Sequence, residues 1–141
     1  MTEKQLIQKA LEVREKAYVP YSAFKVGAAL LGVSGAVYTG CNVECASLGG
    51  TNCAERTAVF KAVSEGETSF QAIAVTGDPD QYTYPCGICR QVMVEFGKAL
   101  KVIVAKSVND YRVYRLEELL PHSFTPEDLD KAKQQEDENG I

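Results

Sequence analysis

The sequence of 141 residues has one histidine, His122. That excludes any metal site built on two histidines of one chain, the common zinc-finger type included. No apolar run approaches the roughly 18 residues of a membrane helix. Positive charge is not in excess: 15 Lys+Arg stand against 19 Asp+Glu, a net charge of −4. A polynucleotide or an anionic membrane calls for a basic face, so neither is an expected partner. The opening segment MTEKQLIQKA is polar and amphipathic. It is unlike an export signal, and the expected location is cytoplasmic. No internal repeat or interdomain linker is visible, and the length suits one domain. A chain of this size buries roughly 68–70% of its unfolded surface, so disulfide staples are not needed. The cysteines are odd in number: Cys41, Cys45, Cys53, Cys86 and Cys89. Metal-binding or reactive thiols in a reducing compartment are expected rather than a disulfide scaffold.

Hydrophobic spacing sets the expected elements. Leu6, Ala10, Val13 and Ala17 predict a helix over 2–18, with Thr2 and Gln5 as a capping box and Val19-Pro20 as its stop. Val26–Leu31 and Ala36–Cys41 read as a hairpin turning at Gly32-Val33-Ser34-Gly35. Residues 42–52 read as loop. Ala54–Val63 reads as a helix with Thr51 or Asn52 as N-cap. Phe70–Thr76 is a strand, Gly87–Phe96 a helix, and Val102–Ala105 a strand apolar enough to be buried on both faces. A short turn leads to Tyr111–Arg115, so the last two strands are antiparallel. Leu116–Leu120 reads as a short helix. Residues 1–129 form the expected domain, and 130–141 a charged tail, a frayed helix or disorder. The expected fold is α/β: one mixed five-stranded sheet with helices on its faces, joined through right-handed crossovers.

Two short runs carry the chemistry: Asn52-Cys53-Ala54-Glu55-Arg56 and Pro85-Cys86-Gly87-Ile88-Cys89-Arg90. Each opens an expected helix, and helix N-termini favour thiolate. Three thiolates can hold one zinc and leave its fourth position open, as catalytic zinc sites do. Glu55, two residues after Cys53, can reach that position without ligating. A carboxylate there can move a proton between a metal-bound water and a substrate. Arg56 and Arg90 can return positive charge to the thiolates through hydrogen bonds to sulfur. Other readings stay open here. A fourth ligand from Cys41 or Cys45 closes the site as a structural zinc module, and a lone C-x-x-C also suits redox chemistry.

The two runs resemble the signature of the zinc nucleoside deaminases, in the version with cysteine as the first ligand. Further matching runs are Tyr21-Ser22-Ala23-Phe24-Lys25-Val26-Gly27-Ala28-Ala29-Leu30, Gly40-Cys41-Asn42-Val43-Glu44, Thr57-Ala58 and Leu119-Leu120-Pro121. The resemblance covers about Leu6 to Leu129. It is to the small homotetrameric cytidine deaminases, and it implies their three-layer α/β/α fold. It implies one zinc per chain on Cys53, Cys86 and Cys89, with Glu55 as the proton shuttle. Cytidine and deoxycytidine are then hydrolysed to uridine and deoxyuridine with loss of ammonia, a step of pyrimidine salvage. By the same resemblance Asn42 and Glu44 bond the ribose hydroxyls, and Phe24 packs on the pyrimidine. The Ala54 N–H meets the base carbonyl, and the Tyr84 carbonyl accepts from the exocyclic amine. Phe124 closes the site of a neighbouring subunit, and Arg56 neutralises the ligand thiolates.

Cys45 and Leu48 depart from the family pattern, which commonly has Asn and often an aromatic there. Both lie beside the expected sugar site, so an aminohydrolase of the same fold acting on a modified cytosine such as blasticidin S is the alternative enzyme. An antiparallel last strand pair belongs, in the resemblance, to deaminases of free nucleosides. No glycine-rich phosphate cradle or arginine cluster suggests a nucleotide.

Overall fold

The computed structural model describes residues 1–130; of the expected tail, residues 131–141 lie outside the described residues. The elements in chain order are α1 (Glu3–Arg14), β1 (Gly27–Gly32), β2 (Val37–Cys41), α2 (Ala54–Ser64), β3 (Phe70–Thr76), α3 (Gly87–Val94), β4 (Lys101–Ser107), β5 (Asp110–Arg115) and α4 (Leu116–Leu119). A short 3-10 turn, Leu48–Gly50, interrupts the loop between β2 and α2.

The capping box of α1 forms as its residues predict. Thr2 N–H donates to Gln5 Oε1 at 2.8 Å, and Gln5 N–H to Thr2 Oγ1 at 3.1 Å. The helix ends at Arg14, short of the expected 18. The cause is tertiary: Tyr18 N–H donates to Asn42 O (3.0 Å), and Glu44 N–H donates to Tyr18 O (2.9 Å). These bonds draw the chain into an extended bridge before Pro20 is reached.

The sheet order is β2-β1-β3-β4-β5. β1 is antiparallel to both β2 and β3, β3 is parallel to β4, and β4 is antiparallel to β5. Side chains alternate between two cores. Ala29, Ala72, Ala74, Ile103 and Ala105 pack under Leu6, Ile7 and Ala10 of α1. Leu30, Ile73, Val75, Val102 and Val104 face Ala58 and Val59 of α2 and Met93 of α3. That is the expected three-layer α/β/α arrangement. Val102 to Ala105 are wholly buried, as a central strand covered on both faces must be. Each of Val102, Ile103 and Val104 contributes roughly 1.5–3 kcal/mol.

Two glycines let the outer layers close. A Cβ on Gly27 would stand 2.1 Å from Ala10 O of α1, and one on Gly40 would stand 2.5 Å from Ala58 N of α2. Larger residues there would push the helices off the sheet. The register then aligns the functional loops. Gly27 pairs with Cys41 and with Thr76, and Thr76 with Ala105. The loop before β1, the loop after β2 and the loop after β3 therefore all leave the sheet at the same end of its strands, where α2 and α3 begin.

Candidate active site

Cys53 is the N-cap of α2 and Cys86 the N-cap of α3, while Cys89 sits in the first turn of α3. The expected caps of α2, Thr51 and Asn52, are occupied elsewhere. Thr51 Oγ1 accepts from Cys45 N–H at 3.1 Å. Asn52 pairs its backbone with Val43 and donates its side-chain amide to Thr57 Oγ1 at 3.1 Å. Both brace the loop and leave the helix end to the thiol.

The three Sγ atoms lie within 4.8 Å of one another. Cys53 Sγ and Cys86 Sγ are 3.7 Å apart. Two thiolates on a tetrahedral zinc with bonds near 2.3 Å stand about 3.8 Å apart, so the donors fit that ion by type and by spacing. Among the described residues, Cys41 and Cys45 stand outside this group. The closed structural reading thereby lacks its fourth thiolate.

Charge around the sulfurs is set by Arg56. Its NH2 donates to Cys53 Sγ at 3.3 Å, while its buried Nε has no partner. The Cys53 thiol is pushed down to about 5, chiefly by the hydrogen bond it takes from Cys89, with Arg56 adding to it. Cys89, which gives that bond and is buried, is pushed up. Arg56 is held more firmly protonated, first by its bond to Cys53. Arg90 does not share the task expected of it. Its Nε donates to Pro85 O (2.8 Å) and its NH1 to Leu119 O (2.6 Å). It ties the loop before α3 to the end of α4.

Glu55, in the first turn of α2, is 3% exposed. Burial pushes its carboxyl up to about 7, against the pull of its own backbone N–H. A group at that value can both give and take a proton near neutral pH. Ala54, wholly buried beside it, carries one of the outward-facing N–H groups of the helix end.

The loops after β2 and before β1 are stitched together. Asn42 Oδ1 accepts from Val26 N–H (2.9 Å), and Asn42 Nδ2 donates to Phe24 O (2.7 Å). Glu44 Oε1 accepts from the N–H groups of Tyr21 (3.0 Å) and Ser22 (3.1 Å), and Oε2 from the Ser22 hydroxyl. Glu44 lines a cavity of about 410 Å³ with Tyr21, Ser22, Leu48 and Thr51. Of the residues expected at the sugar, this cavity holds Glu44 and Leu48 together. Cys45 does not line it, but its backbone N–H donates to the Thr51 hydroxyl on the cavity wall at 3.1 Å.

Phe24, 44% exposed, lines a neighbouring cavity of about 340 Å³ with Arg14, Lys25 and Gly77. Tyr84 is exposed, its hydroxyl 2.7 Å from that of Tyr114. Phe124 is exposed and distant in sequence, anchored by Gln91 Nε2, which donates to its carbonyl at 2.7 Å. Residue type alone assigns Ser22 no role. Its signal in the sequence is its place two residues before Phe24, whose N–H it accepts at 3.1 Å in a local turn.

Residues 1–106 match the family described as the cytidine and deoxycytidylate deaminase zinc-binding region. A cytidine deaminase from Halalkalibacterium halodurans is 52% identical over 130 residues, which is 92% of this chain and 98% of that one. One from Sporosarcina psychrophila is 47% identical over 136 residues, 96% of this chain and all of that one. The crystal structure of cytidine deaminase from Burkholderia pseudomallei superposes with a TM-score of 0.84 at 51% identity, covering 88% of this chain and 100% of that one.

Proposed function

The chain belongs to the family of the cytidine and deoxycytidylate deaminase zinc-binding region, and from that premise we propose that it hydrolyses cytidine and 2′-deoxycytidine to uridine and 2′-deoxyuridine with release of ammonia. The observation that carries this reading is the buried Glu55 carboxylate, raised toward neutrality, beside three thiols spaced for one zinc. Cys53, Cys86 and Cys89 hold the ion. When bound there, zinc supplies the Lewis acidity that makes hydroxide available near neutral pH. Glu55 delivers a proton to N3 of the pyrimidine, takes one from the attacking water and passes it to the departing nitrogen, then takes the second from the hydroxyl on C4 as that becomes the carbonyl, and so regains its starting state. A carbon–oxygen bond forms at C4 and the bond to the exocyclic amine breaks. In net terms one water proton ends on N3 and the other in ammonia.

Arg56 offsets the charge of the three thiolates through its bond to Cys53. At the base, Phe24 packs on the ring, the Ala54 N–H meets the carbonyl oxygen, and the Tyr84 carbonyl takes the amine. Asn42 and Glu44 take the sugar hydroxyls, with Cys45 and Leu48 shaping that end. Residues 1–129 form the catalytic domain, with 130–141 as its tail. The acting unit is a homotetramer in which Phe124 of one subunit closes a neighbour's site. Four side chains support this: Leu48, Phe60, Ile88 and Phe124 are all large, apolar and at least 49% exposed. The enzyme works in the cytoplasm, in pyrimidine salvage. No helix among the described residues is long and apolar enough to cross a membrane.

The test pairs zinc per chain with the loss of ultraviolet absorbance on adding cytidine. We expect about one zinc per chain and turnover that disappears in Glu55→Gln. Zinc without turnover of cytidine or deoxycytidine overturns the substrate assignment. Freshly reduced protein that neither holds nor responds to zinc overturns the site.

A further inference from the structure

Glu44 is already engaged before any ligand arrives. A carboxylate offers about four acceptor sites. Three are filled by Tyr21 N–H, Ser22 N–H and the Ser22 hydroxyl. The Ser22 hydroxyl in turn accepts from Phe24 N–H at 3.1 Å. Between them, Ala23 lies in the left-handed region at φ 57°. A non-glycine residue stays there only where its surroundings hold it. A single hydroxyl thus links the carboxylate on the wall of the 410 Å³ cavity to the backbone that presents Phe24.

We propose that Ser22 is a positioning residue for nucleoside binding: its hydroxyl, fixed by the turn before Phe24, orients the Glu44 carboxylate and leaves one of its acceptor sites for a sugar hydroxyl. The inference rests on the nucleoside reading given above and adds to it a residue that touches no reacting atom. The bond to Ser22 is also the first cause that keeps Glu44 below the usual carboxylate range, hence ionised and an acceptor only.

The experiment compares Ser22→Ala, Ser22→Thr and Ser22→Cys with the parent on cytidine and on 2′,3′-dideoxycytidine, which lacks the sugar hydroxyls. Zinc content and Tm are recorded for each. For Ser22→Ala the KM for cytidine should rise about tenfold while kcat stays within about threefold. For dideoxycytidine, KM (or Ki, if turnover is slow) should shift by less than about threefold. Thr keeps the hydroxyl and should restore the parental KM. Cys keeps the size but donates poorly, and should behave as Ala does. In a Glu44→Ala background, Ser22→Ala should add little further. An unchanged KM, an equal rise for both nucleosides, or no rescue by Thr overturns the inference while leaving the deaminase reading intact. A zinc-loaded parent inactive on cytidine overturns that reading and this one with it. If Ser22→Ala does not fold, the Thr and Cys variants decide by the same criteria.

Discussion

Glu55 and Glu67 stand at opposite ends of the same helix. Glu55 lies in the first turn of α2; Glu67 follows the last, its N–H donating to Ala62 O at 3.0 Å. Glu55 is buried and its carboxyl is pushed up to about 7. Glu67 is half-buried, and hydrogen bonds from Ser34 pull its carboxyl below the usual range. Its oxygens take the Ser34 N–H (3.0 Å), the Ser34 hydroxyl (2.7 Å) and the Tyr38 hydroxyl (3.0 Å). One carboxylate is kept dry with its proton close to balance; the other takes three donors and is ionised. The first suits proton transfer and the second suits holding a hairpin to a helix. Glu44 is held as Glu67 is, by three donors, and its remaining acceptor site lies on the wall of the 410 Å³ cavity.

Replacing each carboxylate by its neutral isostere should separate these roles. Glu55→Gln should lower turnover of cytidine by about a thousandfold, the reach of one acid–base group. Zinc per chain should be unchanged. Its Tm should equal or exceed that of the parent, because a neutral amide relieves the cost of burying a charge. A Tm clearly below the parent's would make Glu55 a structural group as well.

The next effect concerns the rod joining the two ends. The first turn of α2 lies against β2 at Gly40, where a Cβ would come within 2.6 Å of Ala54 O and 2.5 Å of Ala58 N. Both are backbone atoms that cannot step aside alone. Gly40→Ala should destabilise the fold by about 3 kcal/mol in urea titration. It should also reduce zinc affinity and turnover, since Cys53 and Glu55 move with that turn. Full activity in a destabilised variant would mean that the metal end tolerates a shift of α2.

The contrast between the ends bears on what the sequence makes legible. Cys53, Cys86, Cys89 and Glu55 stand out because zinc and proton transfer demand those residue types at short spacing. Strands β3 and β4 stand out because burial on both faces requires unbroken apolar runs. The end of α1 does not, since it depends on Tyr18 bonding to a loop far along the chain. The same holds for Arg90. Its guanidinium lies beside a ligand in sequence, and only the fold shows it spent on Pro85 and Leu119. Glu67 and Ser22 carry no motif. Their partners Ser34, Tyr38 and Glu44 come from residues 33, 29 and 22 positions away. Propensity and periodicity see only local spacing, so such contacts appear only after the sheet has set its register.

The smallest effect tests Glu67 itself. Glu67→Gln should keep zinc and turnover at the parent's level and lower Tm by less than Gly40→Ala does, as a neutral amide is a weaker acceptor. The difference in Tm between parent and variant should depend on pH with a defined sign. The folded carboxyl of Glu67 lies below its ordinary value of 4.5. Its contribution is therefore complete above that value and fades as pH falls through the folded value. Tyr38, raised above its ordinary 10.0 by burial first and by Glu67 second, bounds the plateau on the alkaline side. Its proton is favoured in the folded state, so that share is complete below 10 and fades as pH rises through the folded value. Taking the difference cancels zinc loss in acid, which parent and variant share. A constant difference from neutral pH down to about 5, closing below 4.5, is expected from thermal melts. A difference that grows toward acid would show that the Glu67 carboxyl does its work protonated, and the contrast with Glu55 would then be one of place rather than of charge.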